Sequence, residues 1–212
     1  MGDERMEKLT VYSGDCFPVQ PDQAEVFGWL QCGADLPCRA AYESAWEPAV
    51  KLLKQTAAPQ AAVLRDGTDC LTILLTLGSR AEEEASRLFR QREYILGSIL
   101  NVLCDELLFQ MDGRALVLLQ TDLKEEGLSV SARAEPGGGF SVADQRLSLE
   151  RMKQVIPEVR LSEHGIIFPT KSMMYRVMLS HRDCGHVSLH DCAKCPQKDC
   201  LYRSEKNKEA GL

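Results

Sequence analysis

Apolar positions along the chain fall into short blocks whose spacing separates helices from strands. Residues 24–30 read as a short helix, stopped by Gly33 and Pro37. Residues 40–57 read as a longer one, because Ala45, Trp46, Ala49, Val50, Leu52 and Leu53 recur at the three-and-four spacing of one helical face. Pro48 interrupts its first half, since an interior proline removes a backbone hydrogen bond. Residues 61–64 suit a strand entering a turn at Asp66-Gly67. Residues 70–77 form an apolar run rich in Leu, Ile and Thr and closed by Gly78, the pattern of a strand buried on both faces. Residues 1–20 show no period and read as irregular.

The strongest helix is predicted to open at Ser79, with Glu82, Glu83 and Glu84 in its first turn, where acids favour the positive end of the helix. Its apolar positions run from Leu88 to Met111, and Gly113 is expected to end it. A further helix over 114–126 ends at Gly127, and 128–134 alternates as a strand. A Pro-Gly-Gly-Gly loop occupies 135–140, and 148–156 reads as a helix with Glu150 in its first turn. Two strand-like stretches lie within 159–180 around Pro169, the second with Met173, Tyr175, Val177 and Leu179 on one face. Beyond His181 the periodicity stops. These elements predict an α+β fold, with a domain over residues 1–180 and a Cys/His-rich tail over 181–212.

Composition narrows the partners. The 212 residues are 44% hydrophobic and 26% charged, an ordinary globular balance. A net charge of -6 argues against nucleic acid and anionic membranes as ligands. No cationic segment followed by an apolar run opens the chain, and the most apolar window, 70–77, is far short of a membrane span. The expected location is the cytoplasm.

The nine cysteines form two populations. Cys16, Cys32, Cys38, Cys70 and Cys104 are scattered and read mainly as small apolar residues, with Cys104 on the apolar face of the long helix. Cys184, Cys192, Cys195 and Cys200 crowd into the tail with His181, His186 and His190 among or beside them. A Cys-x2-Cys pair grips one metal from a single turn, and two thiolates beyond it complete four ligands. Zinc, bound by the four cysteines or by three and a histidine such as His186 or His190, would staple the tail. A four-iron cluster on the same cysteines would carry an electron. A reduced tail without metal is the plain alternative.

Three features in order resemble the activation domain of cobalamin (vitamin B12)-dependent methionine synthase, and more closely its short stand-alone forms. The first is the long helix carrying Cys104-Asp105-Glu106-Leu107, preceded by Thr76-Leu77-Gly78. The second, Arg133-Ala134-Glu135-Pro136-Gly137, is similar to that family's Arg-x-x-Pro-Gly-Tyr loop. The third is Leu161-Ser162-Glu163 followed by Phe168-Pro169-Thr170-Lys171-Ser172. The likeness covers most of residues 24–180 and implies a twisted, mainly antiparallel sheet packed with helices.

The resemblance implies a protein that binds S-adenosylmethionine and serves the reductive methylation of an inactivated cobalamin. That cobalamin would be carried by a partner, methionine synthase or another corrinoid protein, with flavodoxin or ferredoxin as electron donor. The chain would then be a component of methyltransferase reactivation in methionine biosynthesis. The implied ligand residues are Arg133, Pro136, Gly137, Gly138, Glu163, Ser172 and Tyr175. A guanidinium at 133 can pair bidentately with the carboxylate of the methionine moiety. Gly138 stands where the family has tyrosine, and Met173-Met174-Tyr175 departs from the family after Ser172. Phe140 or Tyr175 are the candidates to supply the lost ring. The reductive role favours iron–sulfur over zinc in the tail. The rival reading keeps the fold as a non-enzymatic metal-binding or corrinoid-partner module that has lost the methyl donor. No hydrolase motif, phosphate loop or His-Glu-x-x-His is present.

Overall fold

The structure is a computed structural model and describes residues 8–65, 67–182, 200 and 202. Strands β1 (Leu9–Tyr12), β2 (Gln60–Arg65), β3 (Cys70–Thr76), β4 (Ser129–Ala134) and β7 (Ser172–Ser180) build one sheet in the order β1-β2-β3-β7-β4. Every neighbouring pair is antiparallel. Two short strands, β5 (Arg160–Leu161) and β6 (Ile167–Phe168), form a separate hairpin. The helices are α1 (Gln23–Trp29), α2 (Arg39–Thr56), α3 (Arg80–Arg90), α4 (Tyr94–Glu125) and α5 (Val142–Met152).

Both faces of the sheet are covered, which is why β2 and β3 carry continuous apolar runs. Ala61, Val63, Leu71, Ile73, Leu75, Tyr175 and Val177 face a large core closed by α1, α2, α3 and α4. The alternate residues Ala62, Leu64, Leu74 and Met174 face a second core with Phe140, Leu149, Met152, Ile156 and Val159. Apolar burial on two sides leaves no solvent face to alternate with.

Several expectations are corrected. Residues 9–12 are the edge strand β1, paired Leu9 to Leu64 and Tyr12 to Ala61, rather than irregular chain. Four residues are too few to show a period, and their strand state comes from β2. The long helix does not end at Gly113: α4 continues through it to Glu125, a single helix of 32 residues and about 48 Å. The break falls earlier, at residues 91–93, where Arg92 adopts a φ of 67°. Packing of α4 against the sheet and α2 outweighs the roughly 1 kcal/mol that an interior glycine costs a helix. Helix α5 starts at Val142, six residues before the expected helix, because Ser141 caps it by accepting from the Asp144 amide at 3.1 Å. Ser79 precedes α3, but its side chain makes no capping bond. Pro48 lies inside α2, as expected. By length and composition α4, not 70–77, is the segment apolar enough to span a membrane, yet 56% of that window is buried within the protein. Of the scattered cysteines, Cys32 and Cys104 are buried, Cys16 and Cys70 are partly exposed, and Cys38 is exposed.

Candidate functional site

Helix α4 carries three acidic residues into surroundings that are otherwise largely apolar, and each meets a different partner. Asp105 takes the Lys171 ammonium at 2.7 Å, with the lysine side chain almost fully covered. Glu106 accepts from the Asp22 amide at 2.7 Å and from Gln110 Nε2 at 3.0 Å, tying the start of α1 to α4. Asp112, seven residues after Asp105, accepts from Arg133 Nη1 at 2.6 Å. Cys104 beside them packs in the core, and burial pushes its thiol up to about 12.

Arg133 lies on β4 opposite Val177 of β7, so its side chain shares the α4-facing side of the sheet with Tyr175. Its guanidinium carbon stands 3.6 Å from the centroid of the Tyr175 ring. Nε comes within 2.5 Å of Glu135 Oε1, an ion pair without hydrogen-bond alignment. The side chains of Arg133 and Asp112 are only 11% and 5% exposed, against 43% for Glu135, so the pair is internal and Glu135 is its open member. Burial works against the charge on Arg133, but Asp112, Tyr175 and Glu135 together outweigh it, and the net shift is upward. Burial, then the Asp112 charge, pushes the Tyr175 hydroxyl well above its ordinary range.

This cluster keeps unspent hydrogen-bonding capacity. Asp112 Oδ1, Arg133 Nε and the Tyr175 hydroxyl are buried without completed hydrogen bonds among the described residues. Each such group costs roughly 1–3 kcal/mol when left unpaired. The loop after β4 runs past them. Pro136 bridges Phe140, the Gly138 amide donates to Glu135 O at 2.8 Å, and Gly137 and Gly139 take φ of 81° and 103°. Those two positions need glycine, and the exposed backbone from Pro136 to Gly139 is open to close approach.

The other implied residues lie elsewhere. Ser172 is buried and pairs with Thr76 Oγ1 at 2.7 Å, while Thr76 Oγ1 also accepts from the Gly78 amide. The Leu77 amide donates to Lys171 O, so the Thr76-Leu77-Gly78 and Lys171-Ser172 motifs meet across β3 and β7. Glu163 is exposed in the β5–β6 turn, beside His164 at 3.2 Å. That hairpin packs on the α5 side of the sheet through Leu161 and Ile167, opposite the face that holds Arg133. Phe140 also faces that second core, beneath the Arg176 guanidinium. Tyr175 is therefore the ring at Arg133.

Asp112 escaped the reading of the sequence. Its signal was a carboxylate seven residues after Asp105 on an apolar helix, two turns along the same face. Of the expected metal ligands, Cys184, Cys192, Cys195, His186 and His190 lie outside the described residues, and Cys200 is half-buried. Among the described residues no group of three or more His, Cys, Asp or Glu is placed to hold a metal.

No protein-family profile and no curated protein matches the sequence. Among solved structures, the crystal structure of the MetH reactivation domain bound to AdoHcy is similar, with a TM-score of 0.53 and 10% sequence identity. The match covers 87% of this chain and 82% of that one. At that identity the likeness is one of fold: the five-stranded antiparallel sheet and its helices have the architecture of the MetH reactivation domain.

Proposed function

We propose that this protein binds S-adenosylmethionine and presents its methyl group for reductive methylation of a cobalamin carried by a partner, methionine synthase or another corrinoid protein. Its fold is that of a domain solved with AdoHcy, the demethylated form of that donor. The observation that carries the reading is the buried Arg133–Asp112 pair, with unspent polar atoms, beside a glycine loop.

The donor set fits the amino-acid end of the ligand. The Arg133 guanidinium suits its carboxylate, and Glu135, the open member of the cluster, suits its ammonium group. Asp112 positions Arg133 by holding Nη1, and Tyr175 supports the guanidinium from below. The backbone at Gly137 to Gly139 admits the rest of the ligand at close range. The partner's cobalamin supplies the nucleophile for the methyl group, so this chain needs no nucleophile of its own and contributes orientation and proximity. Cys184, Cys192, Cys195 and Cys200 would hold zinc or a four-iron cluster, and the cluster would relay an electron from flavodoxin or ferredoxin.

Calorimetry of the full chain with S-adenosylmethionine tests the ligand. Binding is expected, and Arg133→Lys, which keeps the charge but loses the planar fork, should weaken it roughly ten-fold. No heat with the intact chain removes the methyl donor from the proposal. The second reading, a metal-binding or corrinoid-partner module without the donor, is favoured by one observation: Arg133 already has both Asp112 and Glu135. Absorption spectra of protein prepared without oxygen separate the tail's occupants. A broad visible band marks iron–sulfur, and a colourless protein with stoichiometric zinc ends the electron-relay role.

A further inference from the structure

Arg133 has two acidic partners, and they differ in kind. Asp112 is internal: its side chain is almost fully covered, and its Oδ2 accepts from Arg133 Nη1 at 2.6 Å, joining α4 to β4. Glu135 is half-exposed, and its Oε1 stands 2.5 Å from Arg133 Nε. Nε nonetheless makes no aligned hydrogen bond among the described residues. One carboxylate balances a buried guanidinium, so Glu135 is surplus to the charge of the cluster. A half-exposed, misaligned ion pair contributes little. A site whose arginine is already paired opens only if one partner leaves, and Glu135 is the one that can.

The backbone keeps Glu135 at the site whichever group its side chain meets. It directly follows β4, two residues after Arg133, the spacing that puts side chains on one side of an extended chain. Its carbonyl accepts from the Gly138 amide at 2.8 Å, closing a four-residue turn with Pro136 second and Gly137 third at a φ of 81°. That is the pattern of a type II turn, in which proline presets the second position and glycine takes the left-handed third. Moving the Glu135 carboxylate from one cation to another then needs only rotation of its side chain. The family loop Arg-x-x-Pro-Gly-Tyr leaves this position unspecified, so the acid is a feature of this chain.

We propose that Glu135 exchanges counter-ions when the site fills: it holds Arg133 in the free protein, yields the guanidinium to the ligand's carboxylate and takes the ligand's α-ammonium, so that the site selects an α-amino-acid group over a plain carboxylate. The inference rests on the S-adenosylmethionine reading given above and adds its specificity. A ligand end with both groups brings one charge of each sign, and the net charge of the cluster is unchanged. A ligand with the carboxylate alone adds an uncompensated negative charge beside Asp112 and Glu135, and displaces Glu135 without offering it a partner. Alignment adds to the gain, because a ligand carboxylate, free to turn, can meet Nε in line, which Glu135 does not.

Calorimetry of the full chain with AdoHcy and with its deaminated analogue, which keeps the carboxylate and lacks the α-ammonium, is the test. Glu135→Gln keeps the length of a half-exposed side chain and removes its charge. It is expected to weaken AdoHcy binding roughly ten-fold and to tighten the deaminated analogue roughly three-fold. A deaminated analogue that does not tighten, or AdoHcy that does not weaken, overturns the exchange and leaves the ligand reading standing. An intact chain that binds neither AdoHcy nor S-adenosylmethionine removes the ligand reading, and the exchange with it.

Discussion

Glu106 is 5% exposed, and burial raises its carboxyl to about 7, with the Asp22 amide and Gln110 offsetting part of the shift and the nearby Asp22 and Glu25 charges adding to it. The raised value means that the folded state holds a proton the unfolded chain has lost. This contribution to stability is therefore present at low pH and falls as pH rises from about 4.5 to about 7, by an amount of order 3 kcal/mol. Glu106→Gln should flatten that slope in urea titrations at pH 5 and pH 8 and raise stability at the higher pH. An unchanged slope would show that the Glu106 proton does not matter. The Arg133–Asp112 pair behaves oppositely, because removing one partner leaves the other charge buried. Asp112→Ala is expected to destabilise by roughly 3–5 kcal/mol in chemical denaturation, and Asp112→Ala with Arg133→Leu to recover much of it. At Gly138 a Cβ would approach nothing closer than Glu135 O at 3.6 Å, an ordinary contact. Gly138→Tyr is thus sterically allowed and should tighten S-adenosylmethionine binding up to about ten-fold by restoring the ring. Weaker or unchanged binding in calorimetry would count against the loop as part of the site.

Among the elements, α4 organises the molecule. It carries Asp105 for Lys171 and the Tyr202 hydroxyl, Glu106 for the start of α1, and Asp112 for Arg133. Its continuity through Gly113 makes a direct prediction. Gly113 lines an open cleft with Phe17, Pro18 and Val117, so Gly113→Ala should gain roughly 0.5–1 kcal/mol by thermal or urea unfolding. A loss of stability would indicate that the helix needs glycine there. Elements with strong local signals were legible: α1, α2, β2, β3, β4 and β7 follow their apolar spacing. The start of α5 was missed: Ser141 and Asp144 carry the cap, but the weakly amphipathic turn that follows hides it. Strand β1 was not legible, because four residues become a strand only when β2 offers its edge.

At the scale of the whole molecule, two cores sandwich one sheet, and the candidate site residues divide between its faces. Arg133, Asp112 and Tyr175 belong to the α4 side, and Glu163 and Phe140 to the α5 side. Among the described residues, 8–180 contain both cores apart from the contacts of Tyr202. A chain truncated after Ser180 is expected to fold, with a small loss of stability from the lost ring contacts of Tyr202 with Trp29 and Phe109, and to lose zinc binding. Circular dichroism and zinc titration check both, and an unfolded product would show that the tail is part of the folding unit.

The sequence by itself determined the α+β class, the buried central strands, the glycine loop at 135–140 and the clustering of cysteines toward the chain end. These features are local, since spacing, turn residues and ligand spacing are written in consecutive positions. Tertiary structure decided which charges meet. Asp112 and Arg133 are 21 residues apart, Asp105 and Lys171 are 66 apart, and Asp105 and Tyr202 are 97 apart. No local pattern encodes such pairings. They arise because a charge carried into a low-dielectric core must find its opposite there, and the packing of α4 on the sheet determines which one is within reach.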